Sequence, residues 1–205
     1  MRTGAMVAER TKGRRTEEEL KNAARRLLVS KNYAEIKVTD ITAEAGKAAG
    51  VFYRYFTDKD TLLRALAADF EQALHGVAVE HLGENHGLRT VDDVRRHVEA
   101  FWSTYERYLP ERRGILQASM LSAEFERFNE DLRDRQIDIW ANHILDARRG
   151  MSPQQARISA LAVVCLLEYF CYTHYADGGA VADTEMAIET ATSLVATGLL
   201  GTIPA

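Results

Sequence analysis

The sequence predicts an all-α protein, in which an N-terminal three-helix helix-turn-helix unit is followed by a larger helical bundle of about six helices. Apolar residues recur at spacings of three and four along most of the chain, as amphipathic helices require. No run of alternating β-branched residues stands between turn signals, so we expect no sheet. The chain has only 3 prolines and 13 glycines in 205 residues, which argues against a fibrous or linker-rich protein.

The first three predicted helices are short. Thr16 followed by Glu19 is typical of a capping box, so we expect the first helix to begin there and to end near residue 30. The second helix covers residues 38–45 and stops at Gly46, which tolerates a left-handed backbone. The third covers residues 49–56. The apolar stripe of the first helix consists of Leu20, Ala23, Ala24, Leu27 and Leu28.

The remaining helices are longer and are separated by clear stop signals. Thr57 and Asp58 are expected to cap the fourth helix, and Pro110 is expected to break the chain after the fifth. Ser152, Pro153 and Gln155 together predict the start of the eighth helix. The predicted helices four to nine cover residues 59–81, 91–108, 113–121, 124–148, 153–177 and 183–201.

Charge is distributed unevenly along the chain. Residues 1–57 contain 12 basic and 7 acidic side chains, whereas the remainder contains 14 basic and 23 acidic ones. A basic end on an acidic body indicates a polyanionic partner that binds at the N-terminus. The basic residues between positions 10 and 15 could also form an ordinary solvated tail.

The chain is expected to be cytoplasmic and reduced. No apolar run follows the first basic residues, so we predict no secretory signal. The two cysteines, Cys165 and Cys171, point to different faces of one helix and cannot pair within it. The apolar stretch of residues 158–172 contains Glu168 and is shorter than a membrane span requires, so we predict no membrane association.

The second and third helices have the proportions of a helix-turn-helix. On a helical wheel, Phe52, Tyr55 and Phe56 share one face, which is expected to pack on the first two helices. Gly50 and Arg54 lie on the opposite face, which can enter the major groove of DNA. Arg54 could contact a guanine edge or a phosphate, and Tyr53 suits a phosphate oxygen.

Three segments carry a specific resemblance. ITAEAG (41–46), GVFYRYF (50–56) and KDTLL (59–63) closely resemble the DNA-binding signature of the TetR family of bacterial transcriptional regulators. The resemblance covers about residues 16–63. It implies that the third helix reads bases, that Tyr53 and Lys59 bind phosphate, and that the C-terminal region carries a dimer interface and a pocket for a small-molecule inducer.

The resemblance divides the chain into a DNA-binding domain with a basic arm, residues 1–57, and a ligand-binding and dimerisation domain, residues 58–205. The family usually has a small hydroxyl residue at position 48 and often a lysine at position 49, where this chain has alanines. Base readout is therefore expected to depend more on Arg54, Val51 and the backbone. The predicted DNA-binding residues are Lys47, Ala48, Ala49, Gly50, Val51, Tyr53, Arg54 and Lys59.

Helices five and seven carry aromatic stripes that are wide for a bundle core. Each single residue in them is compatible with ordinary core packing. Taken as a cluster, they predict a partly polar cavity for a small, mostly apolar ligand. The predicted ligand-binding residues are Trp102, Tyr105, Met120, Phe125, Phe128, Trp140, His143, Ile144, Glu168 and Tyr172.

The last two long helices are expected to form a homodimer, which would suit palindromic operator DNA. The eighth helix is apolar almost all round, so it needs both a core and a partner to cover it. Ala191 and Gly198 are expected where the two subunits come closest.

An enzyme is the alternative class. An all-α enzyme acting on an aromatic or acyl substrate could use Glu168, His143 or His174 in the same cavity. Nothing pairs these side chains with a nucleophile, a phosphate loop or a zinc-protease motif, so we predict no enzymatic activity, no cofactor and no bound metal. A metal site built from His75, His81 and His86 is disfavoured, because the first two diverge on a helix.

Overall fold

The computed structural model describes residues 2–82, 87–176 and 183–200. Within these ranges the chain is helical and has no strand, which confirms the predicted all-α class. The helices are α1 (Arg2–Ser30), α2 (Val38–Glu44), α3 (Ala49–Phe52), α4 (Lys59–Leu82), α5 (Val91–Arg107), α6 (Leu109–Ser119), α7 (Ala123–Ala147), α8 (Pro153–Ala176) and α9 (Thr184–Leu200). A 3₁₀ turn, Tyr33–Glu35, lies between α1 and α2.

The predicted start of the first helix is wrong. α1 begins at Arg2 and continues through Thr16, whose hydroxyl donates to the Lys12 carbonyl within the helix. A serine or threonine can make such a bond in a helix interior as readily as it can cap an end, so the capping-box pattern was ambiguous.

Two other predicted boundaries differ from the structure. α3 ends at Phe52, because Tyr55 N–H bonds to the carbonyl three residues back and tightens the chain into a turn. α6 begins at Leu109 rather than at residue 113. Pro110 occupies its first turn, where a missing N–H costs nothing, so proline starts this helix as well as ending the previous one.

The chain divides into two compact units. The first consists of Met1–Asp69 with Pro110–Phe125, and the second of Phe70–Leu109 with Glu126–Ala205. In the first unit, α2 packs on α1 and on α3. In the second, α5 packs on α8 and α9 around an apolar core that contains Trp102, Trp140 and Leu167. The predicted functional boundary after residue 57 stays a prediction.

Candidate nucleic-acid interface

The turn between α2 and α3 has the geometry of a helix-turn-helix. Gly46 ends α2 with a φ of 62°, in the left-handed region that a side chain disfavours. At the other end of α2, the Lys37 N–H donates to the Asp40 carboxylate at 3.0 Å. Lys37 has no capping hydroxyl, and Asp40 supplies part of the missing cap from inside the helix.

The inner face of the α3 segment is held by aromatic packing. Phe52 and Phe56 are buried, and their ring centroids lie 5.6 Å apart. Tyr55, predicted on the same face, is only half-buried. An added Cβ on Gly13 would lie 3.9 Å from its hydroxyl, so the tyrosine contacts α1. This packing fixes which side of the segment faces outward.

The outward face is open to solvent. Ala48, Ala49, Gly50 and Arg54 are exposed, Val51 is half-buried, and Tyr53 is 61% exposed. A Cβ added to Gly50 would meet no atom within 4 Å. Internal packing therefore does not require glycine there, and the bare backbone leaves room for the close approach of another molecule.

Lys47 precedes this face and is already paired. Its ammonium lies 2.7 Å from a Glu19 carboxylate oxygen on α1. The hydrogen bonds from Lys47 and then Arg15 lower the pKa of Glu19 below its usual value. Because this ion pair is solvent-accessible, a phosphate could compete for Lys47 at little cost.

The structure gives Lys59 a role that the sequence did not predict. Its ammonium donates to the carbonyl oxygens of Tyr33 at 2.8 Å and Ile36 at 3.0 Å, and lies 4.3 Å from the centroid of the Tyr33 ring. Loss of hydration by burial lowers the pKa of Lys59. The predicted phosphate contact would thus involve an ammonium that also ties the start of α4 to the 3₁₀ turn.

Tyr33 and Asp60 complete this junction and were also missed. The Tyr33 hydroxyl donates to the Asp60 carboxylate, and its backbone N–H donates to the Gln117 side chain at 2.7 Å. Burial and the neighbouring carboxylate raise the pKa of Tyr33. The tyrosine therefore stays neutral and links the 3₁₀ turn to α4 and α6.

A buried charge cluster lies beside the same helices. Lys21 contacts Asp69 at 2.9 Å, and Arg25 contacts both Asp69 at 2.6 Å and Glu111 at 2.5 Å. Glu111 is only 1% exposed, and burial raises its pKa despite the adjacent guanidinium. These partners are up to 86 residues apart in sequence, so no local pattern could have revealed them.

α6 also approaches the same unit closely at Gly114. A Cβ added there would lie 3.0 Å from one Leu28 methyl carbon and 3.1 Å from a Leu63 methyl carbon. These distances are shorter than ordinary van der Waals contact. Together with the Glu111 and Gln117 bonds, they make α6 part of the unit that carries the helix-turn-helix.

The structure does not place all of the predicted ligand residues in one unit. Phe125 and Met120 belong to the first unit. Phe125 is buried there against Tyr33, with a centroid distance of 6.1 Å, and the Arg64 guanidinium lies 4.7 Å from its ring centroid. Met120 is 75% exposed.

Trp102 lies at the centre of an aromatic group in the second unit. Its indole N–H donates to the Tyr175 hydroxyl at 2.8 Å, and Phe170 and His174 pack edge-on against its ring. Burial raises the pKa of Tyr175 to about 12. Tyr105, another predicted ligand residue, is buried nearby along α5 and stacks on Phe101.

Trp140 and His143 belong to a second group. His97 lies between them, with centroid distances of 5.6 Å to Trp140 and 5.3 Å to His143, and its Nδ1 lies 2.7 Å from the Asp93 carbonyl. Ile144 is buried in the same core, and Phe128 on α7 is half-buried. His97 was not among the predicted residues, since a lone histidine gives no sequence signal.

Glu168 and Tyr172 lie on α8. A Glu168 carboxylate oxygen is 3.7 Å from the Arg133 side chain, and the ring of Tyr172 stacks on Tyr169 at 6.4 Å. Glu168 keeps 15% of its side chain exposed. It is an ion-paired carboxylate at the margin of the core, rather than a charge isolated inside it.

An apolar face of α8 and α9 is open to solvent. We call it the α8–α9 face; its exposed members are Ile158, Leu161, Ala162, Cys165, Tyr169, Met186, Leu194 and Gly198. The segment Pro153–Tyr175 is long and apolar enough to span a membrane, and only 33% of its most apolar stretch is buried. A core helix meets the same criterion, so this is weak evidence for a membrane.

The expectation that Ala191 lies at a subunit interface is wrong. Ala191 is 0% exposed and belongs to the core that α9 shares with α5. Gly198 is exposed, and an added Cβ would meet nothing within 4 Å. The two small residues thus face different sides of α9.

The described side chains contain no group of three potential metal ligands. The side chains of His75, His81 and His86, which the sequence raised as a weak metal candidate, lie outside the described residues.

Comparison with known proteins identifies the N-terminal domain. Residues 20–66 match the model of bacterial regulatory proteins of the tetR family. The N-terminal part of the chain therefore contains the helix-turn-helix domain of the TetR family. The chain is 27% identical over 184 residues to the HTH-type transcriptional regulator EthR of Mycolicibacterium smegmatis. The alignment covers 88% of this chain and 84% of that relative.

Solved TetR-type structures share the fold over nearly the whole chain. A TetR-family regulator from Syntrophomonas wolfei superposes with a TM-score of 0.76 at 17% identity, covering 93% of this chain and 97% of the other. The regulator FadR from Bacillus subtilis, solved with stearoyl-CoA, gives a TM-score of 0.69 at 14% identity, covering 91% and 99%. These three relatives are named as transcriptional regulators, and this chain shares their fold and contains the same type of N-terminal helix-turn-helix domain.

Proposed function

We propose that this chain is a TetR-type one-component repressor that binds palindromic operator DNA as a homodimer and releases it when a small, mostly apolar ligand binds. The exposed outer face of the α3 segment carries the proposal. It presents Arg54, Tyr53 and the bare backbone of Gly50 on one side, while Phe52 and Phe56 anchor the other. A helix presented in this way fits the major groove.

Arg54 is proposed to read bases, and Tyr53 to bind phosphate. A guanidinium that contacts a guanine edge contributes about 1–3 kcal/mol of discrimination, whereas a phosphate contact carries no sequence information. Arg54→Ala should therefore reduce the preference for operator over scrambled DNA. Tyr53→Phe should weaken binding to operator and to scrambled DNA by the same factor. The measurement is fluorescence anisotropy with a duplex selected from a random pool.

Arg127→Ala is the matched control, since it removes another exposed guanidinium, from α7. Its affinity and specificity should equal those of the parent. If Arg54→Ala weakens operator and scrambled DNA by the same factor, the assignment of base readout to Arg54 is wrong.

The α8–α9 face is proposed as the dimer interface. It is apolar and continuous across both helices, and a shallow groove of about 210 Å³ runs between Leu166 and Leu194. Exposed apolar patches of this kind mark interaction sites. A two-fold contact would bring each face onto its own copy, and two DNA-binding units would then match two half-sites.

Gly198→Arg tests the interface without disturbing the subunit. A Cβ added at this position would meet no atom within 4 Å, and arginine favours a helix more than glycine does. It should place an unpaired charge in the interface and yield a folded monomer in analytical ultracentrifugation. Asn142→Arg, at an exposed position of α7, is the control and should stay dimeric. A monomeric parent, or a dimeric Gly198→Arg variant, would contradict this interface.

The ligand is proposed to bind in the C-terminal region, near Trp102 and Trp140. The chain has only these two tryptophans, and both are buried in the second unit. Their fluorescence therefore reports on that unit without interference from the DNA-binding one. A ligand that favours the DNA-incompetent state must weaken DNA affinity by linkage.

A screen of small apolar compounds should find one that changes tryptophan fluorescence, raises the melting temperature and releases operator DNA. Long acyl compounds are included, because a structural relative was solved with stearoyl-CoA. Trp102→Leu should weaken the binding of that compound. It should leave the affinity for DNA unchanged when the compound is absent. A compound that releases DNA with equal potency from the parent and the variant would exclude Trp102 from the site.

A further inference from the structure

The N-terminal half of α1 extends well beyond the helix-turn-helix. α1 runs from Arg2 to Ser30, whereas its contact with Tyr55 lies at Gly13. Eleven residues of α-helix rise by about 17 Å, which is the length of about five base pairs of DNA. This part of the chain is therefore a continuation of α1, in contrast to the solvated tail that the sequence left open.

The exposed residues at the root of this extension are cationic. Lys12 and Arg14 are exposed and form no ion pair with any described residue, whereas Arg15 pairs with Glu19 at 3.1 Å but keeps 81% of its side chain exposed. Of the acidic residues that follow, Glu19 also binds Lys47 and Glu18 binds Lys21. Lys12 and Arg14 thus have no acidic partner among the described residues, and the Arg15 guanidinium stays accessible; we call residues 12–15 the α1 root.

The α1 root lies close to the predicted DNA-facing residues. Glu19 on α1 is in direct contact with Lys47, in the turn before α3. The α1 root precedes Glu19 by four to seven residues, or about 6–11 Å of helix. Cations at this distance from the recognition segment can reach phosphates outside the half-site that α3 reads.

We propose that the α1 root is a second DNA-contact site, which binds the phosphates that flank each half-site. This inference rests on the proposed operator binding and extends it. Ala48 and Ala49 offer no polar side chain at the start of α3, so phosphate contacts by Lys12, Arg14 and Arg15 supply affinity that the recognition segment lacks. These contacts add affinity but no sequence preference.

The test compares two operator lengths. The duplexes are the selected operator alone and the same operator with ten flanking base pairs on each side. The parent should bind the longer duplex at least tenfold more tightly. The triple variant Lys12→Ala/Arg14→Ala/Arg15→Ala should bind the short duplex like the parent and gain nothing from the flanks. On the long duplex, the slope of log K against log salt should become shallower by about 0.9 for each phosphate contact that the variant loses.

The matched control removes three exposed arginines elsewhere: Arg127→Ala/Arg149→Ala/Arg107→Ala. It changes the net charge equally and should retain the gain from the flanks. The proposal is overturned if the triple α1-root variant still binds the longer duplex more tightly than the short one, as the parent does. It is also overturned if the variant loses affinity equally for both duplexes. Failure of the parent to prefer any operator would instead refute the proposed function, so the two failures are distinguishable.

Discussion

Lys59 offers a direct measurement of what holds the helix-turn-helix in place. Its ammonium makes two hydrogen bonds to carbonyl oxygens, at 2.8 Å and 3.0 Å. A hydrogen bond to a charged group contributes about 1.5–3 kcal/mol, and partial exposure reduces that value through solvent screening. Lys59→Met keeps the aliphatic stem but leaves two carbonyl oxygens without their donor. We expect it to lower the free energy of unfolding by about 2–3 kcal/mol.

The effect is large enough to measure by thermal unfolding. In a protein of this size, 1 kcal/mol corresponds to about 2–4 °C, so the melting temperature should fall by about 4–12 °C. Lys37→Ala is the control, because its side chain is exposed; such surface changes alter stability by about 0.5 kcal/mol or less. If Lys59→Met has the same melting temperature as the control and loses only DNA affinity, the carbonyl contacts contribute nothing to stability and Lys59 acts only by binding phosphate.

Four further substitutions test the same unit by thermal unfolding. Gly114→Ala should cost about 1–3 kcal/mol through overpacking against Leu28 and Leu63, whereas Gly50→Ala, which meets nothing, should be neutral or stabilising. Gly46→Ala should cost about 1 kcal/mol, because alanine disfavours a φ of 62°. Asp58→Ala should cost about 1 kcal/mol near neutral pH through loss of the α4 cap. Hydrogen bonds from Thr61 lower the pKa of Asp58 in the folded protein. The stability that this cap contributes should therefore disappear as the pH falls from about 4 through the pKa of the folded state. Below that pH, the melting temperatures of the variant and the parent should converge.

The sequence predicted the elements that depend on local pattern. The all-α class and the left-handed stop at Gly46 follow from periodicity and turn chemistry, and both are found. The helix ends were less predictable. Thr16 and Pro110 each fit two positions in a helix, and packing elsewhere decided between them.

The contacts that fix the predicted interface were beyond sequence reasoning. The Lys59 ammonium, the Tyr33–Asp60 bond and the Arg25–Glu111 pair join residues 26 to 86 positions apart. No helical spacing relates such partners. The predicted ligand residues show the same limit, since an aromatic stripe looks alike whether it lines a cavity or fills a core. Phe125 consequently belongs to the first compact unit, whereas Trp102 belongs to the second.

The central proposal is that this chain recognises one DNA sequence with two identical subunits. The most direct measurement is the ratio of affinities for a selected palindromic operator and for scrambled DNA of the same length, determined at several salt concentrations, with the binding stoichiometry. The account predicts two chains per operator and a ratio of at least about 10³ at physiological salt, while both affinities fall steeply as salt rises. Equal affinity for the two duplexes at every salt concentration, or one chain per operator at saturation, would contradict it.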